Sequence, residues 1–390
     1  MHKVTACLDY RSDCMASYPR ESASVKMALM PTFAPPTTSK GPGTNHLRPE
    51  LRNMKIVGVE EHTTFPELLK RLPKDGRHSA QIYAEIIEHP SLAYAKGRTA
   101  DLGAQRLKDM DEGGIAVQIL SLGGSNNSML LPGEEGVKLA RDINDGLKKA
   151  VNANPTRFKA LAELPLHQPA EAVKELHRAV KELGFLGALV SGSISGEGKY
   201  MDGPEYDPVF STFEELDVPL FLHPGIPPKA VYDTYYSLPN RPQLSAAFAL
   251  AGWGWHNEVA VHVLRLCLSG VLDRHPNLKI IIGHQGEMMP MMIQRFDSMY
   301  AEEVSGLQRS VGEMLRSQVW IAISGLFTLP PTLAAISTWG VDKVLFACDY
   351  PFQDTQRAPQ FIKALGDIVA PSDLRKICQT NAELLFKFKA

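Results

Sequence analysis

Short apolar runs recur along the chain from residue 56 onward, and between them apolar residues return every three or four positions. The runs cover residues 56–59, 117–122, 158–164, 187–190, 219–222, 279–282, 319–323 and 344–347. Most lack a polar alternation and several are β-branched, the pattern of parallel strands covered on both faces. The first clear helical stretch, 134–153, places Val137, Ala140, Ile143, Leu147 and Val151 on one side. The next, 171–183, does the same with Ala172, Leu176, Ala179 and Val180. Residues 207–216, 259–273, 289–303, 355–365 and 372–386 continue the helical period.

Eight strands interleaved with helices, with no GxGxxG loop, predict an α/β fold of the (β/α)8 TIM-barrel type. An open sheet with extra strands is the alternative. Two connections, 63–105 and 224–256, are too long to be simple links. In a barrel both would lie over the catalytic mouth, and the second carries Trp253 and Trp255. Residues 1–53 stand apart, because the stretch 30–43 is rich in Pro, Thr and Gly and has no period. They read as a flexible N-terminal extension before a barrel domain of residues 54–390, with Met27 and Met54 as alternative natural starts.

Composition narrows the partners. The 390 residues are 44% hydrophobic and 22% charged, with a formal net charge of -2 and no long run of one sign. Such a balance excludes nucleic acid or a membrane surface recognised by bulk charge, yet leaves room for a small anionic substrate. The five cysteines, Cys7, Cys14, Cys267, Cys348 and Cys378, form no CxxC pair and suit free thiols in a reducing compartment. With no long apolar span and no compact signal sequence, a cytoplasmic location is expected.

The chemistry sits where the strands end. The first run leads into Glu60-Glu61-His62, and period two puts Glu60 and His62 on one face with Glu61 opposite. The fifth ends Leu222-His223-Pro224, the sixth Gly283-His284-Gln285-Gly286-Glu287, and the eighth Cys348-Asp349-Tyr350-Pro351. Singly, each has a plain structural explanation: a hydrogen-bonded histidine, a solvent-facing acid, a turn aspartate. Together, carboxylates and three histidines at four C-terminal strand tips supply the nitrogen and oxygen donors that a divalent ion requires.

Glu60-Glu-His62, Leu222-His-Pro224, Gly283-His-Gln-Gly-Glu287 and Asp349-Tyr-Pro-Phe352 resemble the signature of the amidohydrolase-superfamily decarboxylases. That group includes aminocarboxymuconate-semialdehyde, γ-resorcylate and 2,3-dihydroxybenzoate decarboxylases. The stretches 109–121 and 258–276 share the likeness, which covers residues 55–388. The resemblance implies Glu60, His62, His223 and Asp349 as ligands of one divalent ion, with zinc expected and manganese or magnesium as alternatives. It implies His284 as the catalytic histidine oriented by Glu287, and Arg295 as a substrate-site arginine. Relatives that hydrolyse open with His-X-His and carry a bridging lysine on strand four. Here Glu60 replaces the first histidine and 187–190 has no lysine, so a mononuclear site follows. A homodimer or homotetramer is implied as well.

The leading expectation is non-oxidative decarboxylation of a hydroxylated aromatic acid, with Asp349 and His284 handling the proton. Hydrolysis or hydration of a small ester, lactone or enol acid at the same site is the alternative, and a barrel retained only for binding is a third. Cys348 stands where relatives carry Ser or Thr, which bears on the substrate accepted rather than on the ion.

Overall fold

The computed structural model describes residues 51–72, 78–86, 89–123, 127–195 and 197–390. Nearly all of the expected extension lies outside these residues. Leu51 and Met54 are both buried in the main core, so packing begins ahead of the expected boundary at residue 54.

Eight parallel strands form: β1 Ile56–Thr63, β2 Ile115–Leu122, β3 Phe158–Ala160, β4 Ala188–Ser191, β5 Leu220–His223, β6 Ile280–Ile282, β7 Val319–Ile323 and β8 Val344–Phe346. They hydrogen-bond in sequence order as β1-β2-β3 and β4-β5-β6-β7-β8. Single parallel bridges, Ala162 to Ala188 and Glu61 to Tyr350, join the two sets at both seams. The ring is therefore closed, and the open-sheet alternative is excluded.

Closure sorts the side chains. Each strand or its immediate continuation contributes to an inner cluster that includes Val57, Val117, Leu161, Leu189, Phe221, Ile281, Ala322 and Leu345. The alternate residues, such as Ile56, Leu120, Ala188, Leu222 and Ile280, join the larger core under the helices. This period-two partition is what a pleated strand between two apolar layers requires.

β1 departs from the simple pattern in one informative place. Its register against β2 shifts between Gly58 and Glu61. Val57 and Val59 face the inner cluster, and strict alternation would send Glu61 there too. The bulge reverses this, and Glu61 turns outward to accept from the Cys348 backbone N–H at 2.8 Å and from Gln118 Nε2 at 3.0 Å. Glu60 and His62 face the lumen instead. A one-residue irregularity re-aims the polar tip of the strand.

Most expected helical stretches form, though 289–303 breaks into Met289–Met291, Ile293–Met299 and Glu302–Ser305. Ala104–Gly113, Val311–Gln318 and Leu329–Trp339 were not foreseen; the last carries two prolines in its first turn, where a helix tolerates them. The single helix expected over 259–273 is split by Gly270 at φ 74° into Gly254–Leu268 and Val271–Arg274. The two long connections carry helices of their own, and Ile82 and Ile86 of the first pack with Ile226, Ala246 and Leu250 of the second. Among the described residues no helix is long and apolar enough to cross a membrane.

Candidate metal centre and active site

Four strands bring their polar tips to one point. Glu60 Oε1 lies 3.8 Å from His62 Nε2, 3.6 Å from His223 Nε2 and 3.8 Å from His284 Nε2. Asp349 Oδ1 is 3.4 Å from His62 Nε2, and its Oδ2 is 3.7 Å from His284 Nε2. These gaps are too wide for hydrogen bonds. They match ligand atoms placed around one ion at about 2.0–2.2 Å, which lie roughly 3–4 Å from one another. Glu60 Oε1 and His62 Nε2 are buried and have no hydrogen-bond partner among the described residues. Orphaned buried atoms are costly, and a cation between them removes the cost. The residues present therefore fit a divalent ion.

The other polar atoms of Glu60, His62 and His223 are held away from that point. Ser324 Oγ–H donates to Glu60 Oε2 and accepts from the His284 backbone N–H at 3.0 Å. Ser121 Oγ is 3.1 Å from His62 Nδ1. His223 Nδ1–H donates to Pro224 O at 2.8 Å, which fixes the tautomer and leaves the Nε2 lone pair facing Glu60. A Cβ on Gly283 would sit 2.6 Å from Glu60 Oε2, so the strand β6 tip can approach β1 only as glycine.

The β6 and β8 tips are turns held in an unusual conformation. His284, Glu287 and Asp349 have φ values of 45°, 52° and 65°. Non-glycine residues there cost roughly 1–3 kcal/mol each and persist only where the surroundings enforce them, as functional sites do. Gln285 secures the β6 turn by donating to Leu326 O at 2.8 Å. Within that turn, His284 Nδ1 is 2.8 Å from Glu287 Oε1, and His256 Nδ1 is 2.5 Å from Glu287 Oε2.

The electrostatics separate the roles. Burial opposes charge on His284, but Glu287, Glu60 and Asp349 outweigh it and raise its pKa well above the usual value. For Asp349 burial works upward, while the neighbouring His284 and His62 prevail and hold it below the ordinary carboxylate range. Burial, assisted by the neighbouring His62, lowers His223 to about 4, so this imidazole is neutral at physiological pH. Glu287 is also held low, because His284 and His256 overcome its burial.

The sequence reading and the structure agree on where Glu60, His62, His223, His284, Glu287 and Asp349 converge. Arg295 is not brought there: it lies exposed on the helix Ile293–Met299. His256 and Ser324 were missed. Ser324 directly follows β7, so a polar residue at a strand tip was available as a signal; His256 lies in the second excursion and had none. A cavity of about 840 Å³ opens beside β4 and β5 and includes Ser191, Gly225 and Ile226. It meets the cluster at Ser191, whose Oγ is 3.3 Å from His223 Nδ1.

The amidohydrolase family profile matches residues 61–388. The γ-resorcylate decarboxylase of Rhizobium sp. is 36% identical over 346 residues, spanning 85% of this chain and 98% of that enzyme. The chain belongs to the amidohydrolase family. Among solved family structures, the dihydroxybenzoic acid decarboxylase of Polaromonas sp., with bound manganese and 2-nitroresorcinol, superposes with a TM-score of 0.73. It is 31% identical and covers 86% of this chain and 97% of its own. The 5-carboxyvanillate decarboxylase of Novosphingobium aromaticivorans, with manganese and a nitrobenzoic acid, has a TM-score of 0.78. It is 29% identical and covers 86% and 97%.

Proposed function

We propose that this amidohydrolase-family chain is a metal-dependent carboxy-lyase that removes CO2 from hydroxylated benzoates of the 2,6-dihydroxybenzoate type. One observation carries the reading: the proton-handling pair Asp349 and His284 faces the same point as the orphaned atoms Glu60 Oε1 and His62 Nε2. The γ-resorcylate decarboxylases, at 33–36% identity over 344–346 residues, support this chemistry over hydrolysis.

Glu60, His62, His223 and Asp349 would hold the ion. When bound, it would supply positive charge to the phenolic and carboxylate oxygens of the substrate. Manganese is the ion we propose, because the related structures hold it and carboxylate-plus-imidazole sets accept it; the zinc expected from sequence would use the same atoms. β4, Ala-Leu-Val-Ser, offers no lysine to bridge a second ion.

Direct loss of CO2 would leave an unstable aryl carbanion. An ortho hydroxyl avoids it by making the carboxyl-bearing carbon accept a proton first. C–C cleavage then returns the electron pair to the ring, CO2 leaves and aromaticity is restored. Asp349 faces the centre as a carboxylate, so it takes up the phenolic proton released on binding and delivers it to that carbon. His284, kept protonated by Glu287, stabilises the charge on Asp349, and the phenolic oxygen regains a proton from solvent as the product leaves. Trp255, edge-on to His223 with ring centres 6.1 Å apart, has a buried indole N–H without a partner, available to a substrate oxygen.

Arg295 remains the proposed carboxylate contact. Because it is exposed and outside its own centre, that role requires a second copy of the chain, in line with a homodimer or homotetramer. Buried free thiols at Cys267, Cys348 and Cys378 support a cytoplasmic setting.

The test is a CO2-release assay over salicylate, 2,6-dihydroxybenzoate and 5-carboxyvanillate in 18O water, with and without added manganese. Manganese-dependent release from the 2,6-dihydroxy acid, with no 18O in the phenolic product, is the expected result. Incorporation of 18O with no CO2 release would replace the reading with a hydrolase.

A further inference from the structure

We propose that His256 is a positioning residue that fixes Glu287, and through it the ring of His284. The inference rests on the decarboxylase reading for what His284 does, and on geometry for the contact itself. Glu287 is fully buried and each of its oxygens meets one imidazole: Oε1 at 2.8 Å from His284 Nδ1, Oε2 at 2.5 Å from His256 Nδ1. The far nitrogen of His256, Nε2, is 3.3 Å from Ala251 O, a carbonyl that can only accept. Glu287, a carboxylate, accepts from Nδ1–H, and Nε2 lies beside the Ala251 carbonyl. His256 is clamped between a backbone carbonyl on its own excursion and a carboxylate on the β6 turn.

A carboxylate held through one oxygen can rotate about its last bond, and its free oxygen is left buried without compensation. Held through both, Glu287 presents Oε1 to His284 in one direction only. That fixes which His284 nitrogen carries the proton on the Glu287 side and aims Nε2 at Asp349. The His256 and His284 rings stand edge to face, with centres 5.2 Å apart and planes at 74°, so ring packing reinforces the hydrogen bonds. His256 acts through Glu287. The adjacent Trp255 packs against His223 on the other side of the centre, so two consecutive residues brace two different imidazoles. The excursion is thereby a structural part of the proton-handling half of the site.

The test compares His256→Ala, His256→Asn, Glu287→Gln and the His256→Ala/Glu287→Gln double variant in the full chain. Asparagine keeps an N–H donor near the Nδ1 position. His256→Ala should lower kcat by roughly 10–100-fold, the usual effect of losing such a supporting partner. KM should stay within about twofold, and metal content should not change. His256→Asn should recover most of kcat, and His256→Ala should add nothing once Glu287→Gln is present. A second readout is independent of turnover: the hydrogen-bonded imidazole N–H proton of His284 in the downfield 1H NMR spectrum should shift or broaden in His256→Ala and return in His256→Asn. Three results would overturn the proposal: kcat for His256→Ala within about twofold of wild type, additive losses in the double variant, or an unmoved His284 resonance. If wild-type protein releases no CO2 from any hydroxybenzoate, the proposed function fails, while the NMR comparison still decides the His256 contact.

Discussion

Two buried carboxylates occupy comparable places in the barrel and have opposite characters. Glu60, in β1, turns an oxygen with no hydrogen-bond partner toward three imidazoles. Glu163, just beyond β3, has Oε1 saturated by the backbone N–H and hydroxyl of Ser128 at 2.8 and 2.6 Å, and burial pushes its pKa up to about 7. Its backbone is also tied at both ends to Asn144, by bonds of 2.9 Å. Burial of an acid at a strand tip therefore does not mark a reaction centre. An acid left unsatisfied among convergent donors does, because only a cation completes it.

The strongest attempt to break that contrast is at Asp349, which shares the Glu60 point and is proposed to handle the proton. Asn is tolerated at φ 65°, so Asp349→Asn should fold and retain part of the metal. Its kcat should fall by about a thousandfold or more, as expected when a general acid and a ligand are lost together; near wild-type rates in a CO2 assay would remove Asp349 from both roles. Next is His223→Ala, which deletes a proposed neutral ligand. Elemental analysis should show metal per chain dropping to about a tenth or less, with activity falling in step. Full occupancy there would mean that His223 is not a ligand.

Arg295→Ala tests the contact proposed to come from a second copy of the chain. KM should rise by about tenfold or more with kcat little changed, the effect of losing a charged hydrogen bond of roughly 1.5–3 kcal/mol. An unchanged KM would take Arg295 out of the site. The smallest effect belongs to the other carboxylate. Glu163 has a folded pKa above its unfolded value, so the native state binds the extra proton between about pH 4.5 and 7. Its contribution is fully present below that window and is lost as pH rises through about 7. Urea unfolding of Glu163→Gln should therefore lose this decline and gain at most about 3 kcal/mol at pH 8, with kcat unaffected. A fall in kcat would erase the distinction between the two tips.

How much of this was legible in the sequence follows from the same physics. The strands were legible because buried parallel strands are short apolar runs, and the ligands because polar residues at such tips stand out. The bulge in β1 was not, since register depends on the partner strand; Glu60 and His62 share a face as read, but only the shift at Gly58–Glu61 turns that face inward. Leu329–Trp339 was hidden by its leading prolines. His256 was hidden because its partner Glu287 is 31 residues away and no local period links them. Glu163, embedded in an apolar run, gave no sign that it is satisfied by Ser128, whereas the orphaned state of Glu60 exists only once four strands have met.

The central claim is that Glu60, His62, His223 and Asp349 together hold one ion on which turnover depends. Metal-stripped protein should be titrated with manganese, with free ion followed by electron paramagnetic resonance and CO2 release from 2,6-dihydroxybenzoate recorded in parallel. The account predicts one ion bound per chain and activity rising in proportion to occupancy from a baseline near zero. Turnover in the stripped protein, or binding that leaves the rate unchanged, would contradict it.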